Sequence, residues 1–286
     1  MTAAAFKAVE GPAKVLGRFD SYLFRQICAG RRARVLEPLT ILVAATAVFT
    51  IAFLKGAFGG GFAILGIPLL ALVMDPISGG ALLAPLFLVM DVFAFRYWRP
   101  STWSRPDLLL LVPGLLAGSA LGFVGMQLAD RNMVAIAIAL ITLGFAAIWF
   151  AQGARVTVQP RSRLKGVLAG TASGVTSMIA HSGGPPVAMY LLPLGLPKAL
   201  YAGTTSMFFC VANLAKVGPW LLLARPGAAL WTLIGLCATT VPLGVWVGWR
   251  FHQRLDQRQL YGVLYGLLVV VALKLLWDGL RGIGWL

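Results

Sequence analysis

The chain has 286 residues, of which 59% are hydrophobic and only 12% charged, with a formal net charge of +15. A soluble domain carries about a quarter charged residues, so this composition, with a mean hydropathy of +0.85, excludes an ordinary soluble protein and predicts an integral membrane protein. The basic excess does not imply nucleic acid: the 24 lysines and arginines lie mostly in short connectors and at the N-terminus, as membrane proteins place them on the cytoplasmic side.

Residues 1–37 form a basic N-terminal tail containing Lys7, Lys14, Arg18, Arg25, Arg31, Arg32 and Arg34. No apolar core followed by a small-residue cleavage site is present, which argues against a cleaved signal peptide. Val15, Leu16, Phe19, Leu23, Phe24 and Ile27 recur at helical spacing, so an interfacial helix on an anionic leaflet is expected.

Charge-free runs then follow at 38–54, 56–74, 108–129, 132–154, 166–197, 199–215 and 226–249, and 76–95 and 259–277 qualify if one charge each is accepted. A spanning helix needs about 20 apolar residues. Sliding the chain on itself by about 122 residues brings Gly60-Gly61 onto Gly183-Gly184, Leu121-Gly122 onto Leu243-Gly244, and the polar end at Asp91 onto Asn213. The expected fold is therefore an all-α integral membrane protein of two homologous halves, 38–153 and 164–286, joined by a basic cytoplasmic linker at 154–165. Glycine-broken or re-entrant helices and about eight transmembrane crossings are expected. With eight crossings and the N-terminus inside, 17 basic residues fall in the cytoplasm against five outside, the bias the positive-inside rule favours. Parallel and inverted arrangements of the halves both stay open, since many transporters use inverted repeats.

The two breaks are the main chemical signal. Lys55-Gly-Ala-Phe-Gly-Gly-Gly61 and Ala180-His-Ser-Gly-Gly-Pro-Pro186 each interrupt a membrane-length run. Irregular backbone at that depth is tolerated only where protein or a water-filled cavity surrounds it. Where a helix restarts, its free N–H groups and partial positive charge suit an oxyanion. Backbone at Gly60, Gly61, Gly183 and Gly184 is thus expected to approach a small anion, with His181, Ser182, Thr205 and Asn213 as side-chain partners and Lys55 and Lys216 as attracting cations. Ionisable groups inside a membrane are costly and usually functional, which makes His181 and Asp91 candidates for carrying a coupling ion. Asp91 and Lys216 near helix ends are equally compatible with snorkelling to the interface. Trp98, Trp103, Trp220, Trp249 and Trp277 read as interfacial anchors, and Lys274 with Asp278 as a local ion pair.

Enzyme signatures are missing. There is no phosphate-binding Gly-Lys-Ser/Thr loop, and two histidines with Cys28, Cys210 and Cys237 give neither a CxxC pair nor a metal-ligand spacing. No cofactor, no metal and no catalytic residue is expected.

The first glycine run continues as Gly59-Gly-Gly-Phe-Ala-Ile-Leu-Gly-Ile-Pro68-Leu-Leu. The second reads Gly174-Val-Thr-Ser-Met-Ile-Ala-His-Ser-Gly-Gly-Pro-Pro186 with Tyr190-Leu-Leu, Ala202-Gly-Thr-Thr-Ser206 and Asn213-Leu-Ala-Lys216 downstream. Over residues 38–280 this order resembles the TauE/SafE sulfite exporter family, also called the toluene sulfonate uptake permease family. The resemblance implies a permease in the bacterial inner membrane that moves sulfite, a sulfonate, sulfoacetate or a related anion. His181-Ser182 departs from the small glycines commoner there. An anion channel, or a carrier for a non-sulfur carboxylate, is the alternative. The expected partners are the small anion and the lipid bilayer, with no nucleic acid, and a homodimer is compatible with the sequence.

Overall fold

The computed structural model describes residues 36–63, 69–70, 72–74, 76–125, 131–151, 158–180 and 183–284. Among them run ten α-helices and no strand: α1 (Pro38–Phe58), α2 (Pro76–Phe95), α3 (Arg105–Gly125), α4 (Arg131–Ala151), α5 (Arg163–Ala180), α6 (Gly184–Leu191), α7 (Lys198–Ala224), α8 (Ala228–Ala238), α9 (Val241–Arg254) and α10 (Gln257–Gly282). Nearly all the tail expected to lie on the leaflet, and the pair His181-Ser182, fall outside the described residues. Six helical stretches are long and apolar enough to cross a membrane, with α8 and α9 together forming one of them. These six are a count of the described residues alone and do not test the expected total of about eight crossings.

Local sequence sets the helix ends. Proline opens α1 and fills the first turn of α6, where a missing N–H is no loss. Asp256 starts α10 with a capping box: its carboxylate accepts from the Gln259 N–H at 2.7 Å, and Gln259 Oε1 accepts from the Asp256 N–H at 3.0 Å. α1 stops because Gly59, Gly60 and Gly61 take φ values of 81°, 119° and 90°, a region other residues enter only with strain.

Glycine seams decide which helices meet. α1 lies against α9 in parallel: Gly244 faces Ala52, Gly248 faces the Phe53 and Ala57 backbone, and His252 bonds the Ala57 carbonyl at 2.7 Å. α3 lies against α5, also in parallel, with Gly170 on Leu111, Gly174 on Leu115 and Gly122 on Val175. Absent side chains let these backbones approach, the usual device where lipid provides no hydrophobic drive between helices. α2 and α7 run antiparallel, Gly80 meeting Trp220 and Asp91 meeting Asn213. α4 and α10 are joined by Phe145 stacked on Tyr265, ring centres 5.5 Å apart.

These contacts fix directions. The Lys198 ammonium donates to the His252 carbonyl at 3.2 Å and the Ser104 N–H to Thr204 Oγ1 at 2.8 Å. The starts of α3 and α7 and the end of α9 therefore share one end of the bundle. By the parallel seams, the end of α1 and the start of α5 lie there too, so α1 and α5 run in opposite directions. Pro38 and Gly282 consequently sit at the end opposite residues 158–162. The expectation that both termini share a side with the linker does not follow from this geometry, because α1 starts and α10 ends at the far end of the bundle.

Two tryptophans read as interfacial anchors are interior instead. Trp98 is 1% exposed and packs edge-on against His252, and Trp220 is buried over Gly80. Trp277 is exposed, and Trp249 stacks on Tyr97. Lys274 and Asp278 do form the local ion pair that their spacing predicts.

Candidate functional site

The end of α1 and the start of α6 bring the two breaks into contact. A Cβ built on Gly184 would overlap the Gly61 carbonyl oxygen, and one on Gly61 would stand 3.0 Å from Gly184 Cα and 2.9 Å from Phe209 Cε2. Gly183 is held from the other side, its carbonyl accepting from Ser173 Oγ at 2.7 Å. Gly59 is pressed against the Ala202 carbonyl and the Ser206 N–H of α7.

Beside this junction lie the buried charges. The Lys55 ammonium pairs with the Asp91 carboxylate, the two side chains being 4% and 2% exposed. Asn213 Nδ2 donates to the other Asp91 oxygen at 2.8 Å. Lys216 enters from the same face of α7 as Asn213, donating to Ser177 Oγ at 3.4 Å with its ammonium 4.6 Å from the centre of the Phe87 ring. Asp91 and Lys216 are thus core residues rather than snorkelling ones. Burying three charges together is tolerated because each has a hydrogen-bonding or ionic neighbour.

Lys55, Gly60, Gly61, Phe87, Ser177, Gly183, Phe209, Asn213 and Lys216 line a common cavity of about 30 Å³. That holds about two water molecules, so an oxyanion with three sulfur-bound oxygens enters only if the lining opens. Of the residues expected at the site, Lys55, Gly60, Gly61, Gly183, Asn213 and Lys216 come together here, with Asp91 behind Lys55 and Gly184 against Gly61. Thr205 is not in this lining: its hydroxyl donates to the Tyr201 carbonyl four residues back at 2.8 Å, the local bond that serines and threonines in membrane helices commonly make. The chain segment carrying His181 and Ser182 lies outside the described residues.

Ser177, Phe87 and Phe209 also line the cavity and are not among the site residues expected from the sequence. The repeat offset held the missing signal for Ser177, which stands 122 residues after Lys55, as Asn213 stands 122 after Asp91. A second polar cluster escaped notice altogether. Asp107, 0% exposed, accepts from Arg161 Nε at 3.1 Å and from the Tyr190 hydroxyl at 3.0 Å, and Ser104 Oγ donates to its other oxygen. It ties the start of α3 to the end of α6 and to the chain entering α5. No group of three His, Cys, Asp or Glu side chains placed to hold a metal occurs among the described residues.

The arrangement is one of two glycine breaks and buried charges enclosed by apolar helices. The family model described as sulfite exporter TauE/SafE matches residues 43–275. No curated protein and no solved structure matches the chain. With that match spanning most of its length and six helices able to cross a membrane, this multi-pass membrane protein belongs to the TauE/SafE sulfite exporter family of transporters.

Proposed function

We propose that the chain is a secondary carrier moving a small sulfur-containing oxyanion, such as sulfite, a sulfonate or sulfoacetate, across the bacterial inner membrane by alternating access. The observation that carries this reading is the meeting of both glycine breaks in one small cavity with Lys55, Asn213 and Lys216, Asp91 standing behind Lys55. The ammonium of Lys216 is complementary to an oxyanion, and of the first three residues of α6 Gly184 alone carries an N–H to add to it, since Pro185 and Pro186 have none. His181 and Ser182, directly before Gly183, belong to the same proposed site, with His181 and Asp91 as the coupling groups.

The halves 38–153 and 164–286 are taken as an inverted pair. Three observations favour this over a parallel pair: α1 and α5 are counterparts about 122 residues apart and run in opposite directions; α2 meets its counterpart α7 through Asp91 and Asn213; and α4 meets its counterpart α10. Each break then forms a hairpin that enters and leaves on one side, and the two approach the site from opposite sides. Arg96, Arg99, Arg105, Arg161, Arg163, Lys165 and Lys198 lie at the linker end with Arg250, Arg254 and Arg258, against Arg131, Arg225 and Arg281 at the other end. The seven basic residues that precede Pro38 in the sequence raise the second group to ten as well, so the charge count does not choose between the two sides; the linker is taken as cytoplasmic, with residues 36 and 284 on the periplasmic side.

Counterflow in proteoliposomes tests the reading. Vesicles preloaded with unlabelled sulfite or methanesulfonate should accumulate the labelled anion transiently and saturably. Uptake that neither saturates nor shows counterflow would indicate a channel, and uptake of carboxylates alone would refute the sulfur-anion assignment.

A further inference from the structure

The charge count at the site specifies more than an anion. Lys55 is neutralised by Asp91, and Asp91 is further held by Asn213. Lys216 has no carboxylate partner among the described residues; its neighbours are the neutral hydroxyl of Ser177 at 3.4 Å and the face of the Phe87 ring at 4.6 Å. Both lysines line the cavity, and both are at least nine-tenths buried. Three fixed charges thus leave one positive charge in excess inside an apolar shell formed by Ile51, Leu54, Phe62, Phe87 and Phe209.

We propose that the cavity selects singly charged oxyanions, with Lys216 as the one uncompensated counter-charge and the Lys55–Asp91 pair as an internal salt that removes Lys55 from the count. The proposal rests on the oxyanion-carrier reading above and narrows it to a charge class: a sulfonate monoanion or hydrogen sulfite in preference to a dianion of similar shape. The physical reason is desolvation. A monoanion leaves the buried site neutral, whereas a dianion brings in a second negative charge that no group balances, and unbalanced charge in low dielectric is strongly unfavourable. Apolar lining on the Phe87 and Phe209 side fits the carbon substituent of a sulfonate.

Methanesulfonate and methylphosphonate have nearly the same shape, and the phosphonate loses its second proton near neutrality as phosphates do. The test is calorimetric titration of the purified full-length protein with each, at about pH 6 and about pH 8.5, reading the ratio of the two affinities so that titration of the protein itself cancels. The two ligands should bind within about threefold of each other at the lower pH. At the higher pH methylphosphonate should fall behind by about tenfold or more, as expected for one extra unbalanced buried charge. Asp91→Asn raises the excess to two positive charges and should narrow or reverse that gap, and the double variant Lys55→Met/Asp91→Asn, which returns the excess to one, should restore it. A ratio that stays constant with pH in the wild-type protein overturns the proposal whether or not the variants fold. Loss of the pH-dependent ratio in His181→Gln also overturns it, by moving the charge discrimination from Lys216 to His181. Failure of methanesulfonate to bind at either pH would instead refute the oxyanion site itself.

Discussion

Gly184→Ala offers a quantitative probe of the junction between the breaks. The added methyl would be driven into the Gly61 carbonyl, with backbone on both sides and Phe209 behind Gly61, so neither partner yields by rotating a side chain. Overpacking of this kind costs about 1–3 kcal/mol. Against it stands the gain from replacing glycine in a helical turn by alanine, up to about 1 kcal/mol. The net loss of stability is therefore about 0–3 kcal/mol, small enough for the protein to insert and purify. The displacement falls on the proposed binding geometry, however, where about 0.5 Å matters, and transport should drop by roughly tenfold or more. Gly235→Ala serves as the control, because that glycine is exposed in α8 and nothing lies within 4 Å of its would-be Cβ; it should be neutral or slightly stabilising. Uptake of labelled sulfite or methanesulfonate into proteoliposomes and unfolding in detergent followed by tryptophan fluorescence report the two effects separately. Wild-type transport by Gly184→Ala, or equal impairment of Gly235→Ala, would refute the close-approach argument.

Other outcomes follow from the buried charges and the chain directions. Lys55→Met strands the Asp91 carboxylate with Asn213 as its remaining hydrogen-bond donor and should destabilise by about 3–5 kcal/mol; adding Asp91→Asn should recover much of that loss, and additive losses in the double-mutant cycle would show the pair to be uncoupled. Tyr190→Phe removes a donor from the fully buried Asp107 and should cost about 1–3 kcal/mol in detergent unfolding, whereas Tyr97→Phe, which stacks on Trp249 at 4.7 Å, should change stability by much less. A single cysteine placed at 158–162 of a cysteine-free variant should react with an impermeant reagent only from the cytoplasm, and one at residue 284 only from the periplasm; the same side for both would reject the inverted arrangement.

Much of the site was legible because it is written twice. The offset that superimposes the glycine runs also relates Asp91 to Asn213, and those two residues touch. What the offset cannot carry is anything present in one half alone. Asp107 finds Arg161 and Tyr190 at separations of 54 and 83 residues, and 122 residues after Asp107 stands Ala229, so no repetition marked the cluster. His252 was hidden for another reason. It sits among Arg250, Arg254 and Arg258 and reads as a loop residue, yet parallel packing of α9 on α1 buries it completely against the Ala57 carbonyl. The tryptophans mislead similarly: Trp98 and Trp220 occur at segment ends, where anchors are found, but glycine at position 80 opens an interior slot for Trp220. Thr205 shows the limit of composition, since a hydroxyl near a break is silent about whether it serves a ligand or its own helix.

The crossing of partners at the glycine seams constrains how such a protein can be divided or recombined. α1 and α3 belong to the first half, yet each has its closest backbone contacts with a helix of the second, α9 and α5. Neither half expressed alone contains both sides of a seam, and lipid chains cannot enter grooves shaped for a neighbouring backbone. Cutting the chain within 158–162 should be tolerated when both fragments are made together, while either fragment by itself should be unstable in the membrane. A chimera that replaces one half must import residues complementary to Gly114, Gly118 and Gly122 or to Gly244 and Gly248, so the two halves are bound to change in step even where their sequences no longer look alike.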